Sequence, residues 1–135
     1  VTIVIRILLG ILALIEIVVG GWNQFLPASF YERFPTVDLT PPFSEHYARD
    51  FGGATLAIAF LLVLALVRPR AHFVIPAAIA YGIFAIPHFV FHALHLEHAT
   101  GFEAVMLNLL NGLVVIVALG AIVLTVGRDR RVKRD

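Results

Sequence analysis

The sequence predicts an all-α protein: a four-transmembrane-helix bundle with its N- and C-termini in the cytoplasm. Three observations predict it. Of 135 residues, 60% are hydrophobic and only 14% charged, with a mean hydropathy of +0.94. A soluble domain carries about 25% charged residues, so this chain lacks the polar residues to clothe a water-facing surface. Four apolar runs each approach the ~20 residues that cross a bilayer core as a helix. These runs are continuous rather than alternating, and a closed barrel would need many more strands. The net charge of +1 supplies no basic field for nucleic acid. The absence of cysteine removes disulfides, thiolate metal sites and iron–sulfur clusters. A soluble enzyme, a disordered tail and a nucleic-acid binder are all poor fits on these grounds.

The chain reads as a single membrane domain, 1–135, with helices at about 2–21, 44–67, 73–96 and 103–126 and an outer aromatic loop at 22–43. The first run is longer than the usual core of about 7–15 residues in a secretory signal, and no small-residue cleavage pattern follows it. It is therefore read as a span, and Val1 is expected to have natural residues before it. The loop 22–43 interleaves Trp22, Phe25, Phe30, Tyr31, Phe34 and Phe43 with Pro27, Pro35, Pro41 and Pro42. Pro27 suits the first turn of a short helix reaching Phe34. Such a segment reads as an anchor at headgroup level, or as a lid over a site between the helices. Ser44, after the breaker pair Pro41-Pro42, is the expected N-cap of the second span. Thr100 and Glu103 have capping-box spacing ahead of the fourth.

Orientation follows from the cations. Arg6, Arg68, Arg70, Arg128, Arg130, Arg131, Lys133 and Arg134 share one side if four helices alternate in direction. The other side holds Arg33 and Arg49 among Glu32, Asp38, Glu45, Asp50, Glu97 and Glu103. The arginine-rich side is placed in the cytoplasm, and the connections 22–43 and 98–102 face outward.

Polar residues inside a membrane are costly and face the bundle interior. In the third span His88, His92 and His95 fall within about 60° on the helix wheel, forming one stripe with His98 just beyond. At ~1.5 Å per residue, His88 lies roughly 12–15 Å below the outer end of its helix. Glu16, His46, Asp50, Asn108 and Asn111 belong to the same outer half, contributed by the other three spans. The inner half contributes almost no polar groups, and His72, beside Arg70, belongs to the solvated or interfacial edge. A shared polar cavity is the expected cause of this bias.

Three readings of that cavity stand open. It is a hydrogen-bonded packing network, with Glu16 neutral or paired with a histidine. It is a small-molecule or lipid-headgroup pocket, with room beside His88 opened by a kink at Pro87. Or it is a transition-metal or b-type haem site, with His46, Asp50, His88 and His92 as ligands and Glu16 as a proton acceptor beside them. The pairs Gly20-Gly21 and Gly52-Gly53 read as close-packing points of helices, since no strand precedes them to make a phosphate loop.

The order of pieces resembles a family of small bacterial four-helix membrane proteins of unknown function, in the neighbourhood of the DoxX-like proteins. The resemblance rests on three stretches: the aromatic loop Phe30-Tyr31 to Phe34-Pro35, the segment Pro42 to Gly53 that opens the second helix, and Pro87-His88-Phe89-Val90-Phe91-His92. It implies a four-helix bundle in a bacterial inner (plasma) membrane and supplies no activity. The expected function is that of a non-enzymatic accessory or binding subunit of a larger membrane assembly, in lipid transport or respiration. Its expected partners are membrane lipids and other membrane subunits, with no nucleic acid. Its pocket would be lined by Glu16, His46, Asp50, His88, His92, His95, Asn108 and Asn111, with a lipid or quinone as ligand. The alternative is a standalone metal- or haem-binding redox protein that uses the histidines of the third helix.

Overall fold

A computed structural model describes residues 1–39 and 42–132. The breaker role read for Pro41 and the basic-tail residues Lys133 and Arg134 lie outside the described residues. The elements are α1 (Thr2–Phe25), α2 (Pro27–Arg33), a 3-10 turn (Val37–Leu39), α3 (Glu45–Val67), α4 (Ala71–Leu94) and α5 (Gly101–Val132). No strand occurs among the described residues. The four helices α1, α3, α4 and α5 are long and apolar enough to cross a membrane, which makes this a polytopic membrane protein. α1 runs four residues beyond the apolar run and α5 continues to Val132. Apolar length records the bilayer core, whereas a helix continues wherever its backbone stays hydrogen-bonded.

The helices form a ring. α1 packs most heavily on α3 and α4 on α5, while lighter α1–α5 and α3–α4 contacts close it; the diagonal pairs do not meet backbone to backbone. Short connections make neighbours antiparallel. Two hydrogen bonds pin opposite ends. Arg49 Nη1 donates to the Gln24 carbonyl at 2.5 Å, and Arg128 Nη1 donates to the Pro69 carbonyl at 2.8 Å.

The apolar core lies toward the Arg68/Arg128 end. Ile5, Leu9 and Leu12 of α1 meet Leu62 and Ala65 of α3, Val74, Ala77 and Tyr81 of α4, and Ala118 and Ala121 of α5. Their spacings of three and four residues put them on one face of each helix. Large side chains such as Ile3, Ile7, Leu14, Ile83 and Ile116 point outward. Lipid tails are as apolar as leucine, so burial there gains little; small residues let backbones approach and dispersion does the rest. Ala59, Ala65, Ala77, Ala85, Ala118 and Ala121 fill that role.

Local signals set the helix ends. Pro27 occupies the first turn of α2 as its sequence requires, and Phe34 is the C-cap. Ser44 is the N-cap position of α3, although its side chain makes no capping bond. The capping box forms: Thr100 N donates to Glu103 Oε2 at 2.8 Å and Glu103 N donates to Thr100 Oγ1 at 3.3 Å. Thr100→Ala is therefore expected to cost about 1 kcal/mol, read as a lower midpoint in denaturing-detergent titration with no change in helix content.

α2 folds onto the C-terminal end of α1. Trp22 meets Phe30 edge-on at 5.6 Å, Phe30 stacks on Phe34 at 4.6 Å, and Trp22 Nε1 donates to Ser29 Oγ at 3.2 Å. Besides the turn that follows it, α2 contacts α1 and α3 and neither α4 nor α5. It thus caps one half of the bundle and leaves the α4–α5 half without that cover, so a lid closing over the α4 histidines is not formed.

Candidate functional site

Glu16 lies on the buried face of α1, one turn beyond Leu12 and Ala13. It is 2% exposed, and its Oε2 has no hydrogen-bond partner. The electrostatic neighbour that its carboxyl finds is Tyr81 of α4, itself 1% exposed. No ion pair joins Glu16 to a histidine among the described residues, so the expected Glu16–histidine pairing is not formed. His88, the first histidine of α4's stripe, follows Tyr81 by seven residues, about two turns of helix.

From Tyr81 an aromatic column runs along α4 toward its C-terminal end. Tyr81 meets Phe84 edge-on at 6.2 Å, Phe84 stacks on His88 at 5.3 Å, and His88 meets His92 edge-on at 4.6 Å. Phe51 of α3 joins from the side, 5.7 Å from Phe84. The spacing 81, 84, 88, 92 is one helical stripe, so the face that buries Tyr81 in the core also aims the two histidines inward. Exposure rises along it: Tyr81 and the nearby Ala85 are buried, and Phe84, His88 and His92 are half-buried. The column is a row of packed rings that runs from a buried carboxyl and phenol to half-buried imidazoles.

The remaining expected site residues are not part of it. His46 Nε2 and Asp50 Oδ2 pair with each other at 3.3 Å, with side chains 80% and 64% exposed. They share a face of α3, as their spacing requires, but it is the outward face. His95 is exposed, stacks on Phe91 at 4.2 Å and bonds the Phe91 carbonyl at 2.8 Å. Asn108 and Asn111 each donate Nδ2 to the carbonyl four residues back, Ala104 and Leu107, both at 2.9 Å. These half-buried amides satisfy part of their capacity on their own helix. Four ligands from His46, Asp50, His88 and His92 do not converge: among the described residues no group of three or more His, Asp or Glu side chains is placed to hold one metal ion.

Pro87 also differs from expectation. α4 is a continuous helix through Pro76 and Pro87. Pro87 lines an apolar groove of about 470 Å³ with Ile83, Ile86, Val115 and Leu119, on the outer surface between α4 and α5. The space beside this proline therefore opens away from the histidine stripe.

Tyr81, Phe84, Phe51 and Thr55 lie along or beside this column and are outside the residues that sequence reasoning singles out. Thr55, 1% exposed, bonds the carbonyls of Phe51 and Gly52 at 3.1 and 3.0 Å, beside the point where Gly20 and Gly52 bring α1 and α3 together. The available signal for Tyr81 and Phe84 was their register with His88.

Residues 4–106 match DUF4345, a domain of unknown function. No curated protein and no solved structure matches the chain. The matched segment holds Glu16, Tyr81, His88 and His92, and leaves Asn108 and Asn111 outside it. On a match that covers α1 from residue 4 onward, all of α3 and α4 and the start of α5, the chain belongs to the DUF4345 family.

Proposed function

We propose that the protein is a non-enzymatic binding subunit of a larger membrane assembly, and that it receives a polar-headed apolar ligand, a lipid or a quinone, along the α4 column. One observation carries this reading: the buried Glu16 carboxyl with its unpartnered Oε2. A polar group at that depth is expensive, and bundles keep such groups where a ligand or proton uses them. A ligand hydroxyl or carbonyl would complete the hydrogen bonding of Glu16 and Tyr81, while Phe84 and Phe51 would flank its apolar body. The arginine excess at the opposite end supports a reading with both termini in the cytoplasm of a bacterial inner membrane. The column then opens toward the outer leaflet. The layout resembles that of the DoxX-like neighbourhood, and the near-absence of an aqueous domain favours an accessory role in lipid transport or respiration.

The test is gentle solubilisation from the native membrane followed by native mass spectrometry. The expected result is a complex of this chain with a partner subunit and a retained lipid or quinone. Glu16→Leu should release the small molecule, and the exposed variant His46→Ala should keep it. A lone chain with no bound small molecule in the wild type would overturn the reading.

A further inference from the structure

The other end of the bundle carries a second site, independent of the outer column. An open, solvent-facing cavity of about 620 Å³ lies between the α3–α4 turn and the last turns of α5, lined among others by Arg68, Pro69, Arg70, His72, Arg128 and Asp129. It presents three guanidinium groups and an imidazole against one carboxylate. That carboxylate is already taken: Asp129 Oδ1 accepts from Arg128 Nε at 2.8 Å. Arg128 also holds the Pro69 carbonyl, so α5 braces the turn that forms the cavity wall. The side chains of Arg68 and Arg70 make no ion pair among the described residues. Arg70 is the N-cap of α4, and no side chain caps that helix start. Ala71 and His72, the first residues of α4, line the same space as the guanidinium groups, while the Phe73 and Val74 N–H groups donate to the Arg70 carbonyl.

We propose that this cavity binds a phosphate group, held by Arg68 and Arg70 with Arg128 fixing the frame. Guanidinium forks match phosphate oxygens bidentately, and the helix start adds backbone donors. The cavity sits where α3 ends and α4 begins, at the level where a spanning bundle leaves the hydrocarbon. A phospholipid headgroup and a free phosphate ester both offer this chemistry, and the experiment separates them.

The full chain in detergent micelles is titrated with phosphatidylglycerol, phosphatidylcholine and inorganic phosphate, with bound species read by native mass spectrometry. Arg68→Gln/Arg70→Gln is expected to weaken phosphatidylglycerol retention roughly tenfold. Arg68, Arg70, Arg130 and Arg131 are all exposed; Arg130→Gln/Arg131→Gln removes the same charge from positions that do not line the cavity and should change retention less than about twofold. Displacement of phosphatidylglycerol by inorganic phosphate supports one shared site with a lipid source. Phosphate binding that follows the same variants without lipid retention supports a soluble source. Equal weakening by both double variants overturns the proposal in favour of a diffuse basic surface. A wild type that retains neither probe overturns it as well. Should the glutamine pair fail to fold, Arg68→Lys/Arg70→Lys carries the test: it keeps the charge and loses the fork, so retention should fall about threefold, and unchanged retention counts against a built site.

Discussion

Gly52→Ala is expected to lower stability by about 2 kcal/mol or more, whereas Gly21→Ala leaves it unchanged or raises it slightly. The two substitutions are chemically identical, both sit inside long helices, and only their surroundings differ. A Cβ built on Gly52 would lie 2.5 Å from Gln24 N, 2.8 Å from the Gly20 carbonyl oxygen and 2.9 Å from Gln24 Cα. All three are backbone atoms of α1, so relief requires moving one helix away from the other. Overpacking of this kind costs about 1–3 kcal/mol, against which alanine recovers about 0.5–1 kcal/mol of helix propensity. At Gly21 nothing lies within 4 Å, so only the propensity gain remains. Gly53→Ala is the matched neighbour: its Cβ would meet the flexible Gln24 Oε1 at 3.4 Å. Denaturing-detergent titration of the variants checks the ordering. If Gly52→Ala equals the wild type, the close α1–α3 approach is absent, and with it the frame that sets Glu16 one turn from Gly20.

The glycine doublets show where sequence reasoning stops. Neighbouring residues point about 100° apart on a helix, so in each doublet at most one can face a partner. The sequence named both pairs as packing points, yet only Gly20 and Gly52 meet the other helix closely. The span count, the short helix at Pro27 and the Thr100/Glu103 box were legible because each depends on residues close in sequence. The inward stripe through His88 and His92 was legible from its period. Orientation of a face was not. Period says which residues share a face, but in lipid the inside and the outside are equally apolar, so hydropathy cannot say where that face points. Hence His46 and Asp50 were grouped with the stripe although they face outward. Tyr81 was passed over inside an apolar run although it stands in register with His88.

Glu16→Leu is expected to stabilise the isolated protein by about 1–3 kcal/mol, the usual cost of a buried polar group left without a partner. Leucine occupies nearly the volume of glutamate, and the same face of α1 already packs Leu9 and Leu12. The substitution therefore continues that apolar row by another turn without leaving a cavity. Glu16→Ala is the control for volume: it removes the same carboxyl but opens a void, and should gain less than leucine or lose outright. Glu16→Gln is the control for polarity, since it keeps the unmet hydrogen bonding and should gain little. The ordering Leu above Gln and Ala, in denaturing-detergent midpoints of ligand-free protein, is the signature of an orphaned carboxyl. In ligand-loaded protein the ordering should invert, because only glutamate can answer the ligand's polar group and so gain stability from binding. A leucine variant less stable than the wild type in both states would mean that the carboxyl is fully bonded within the bundle. The column would then serve to fix helix register rather than to receive a ligand.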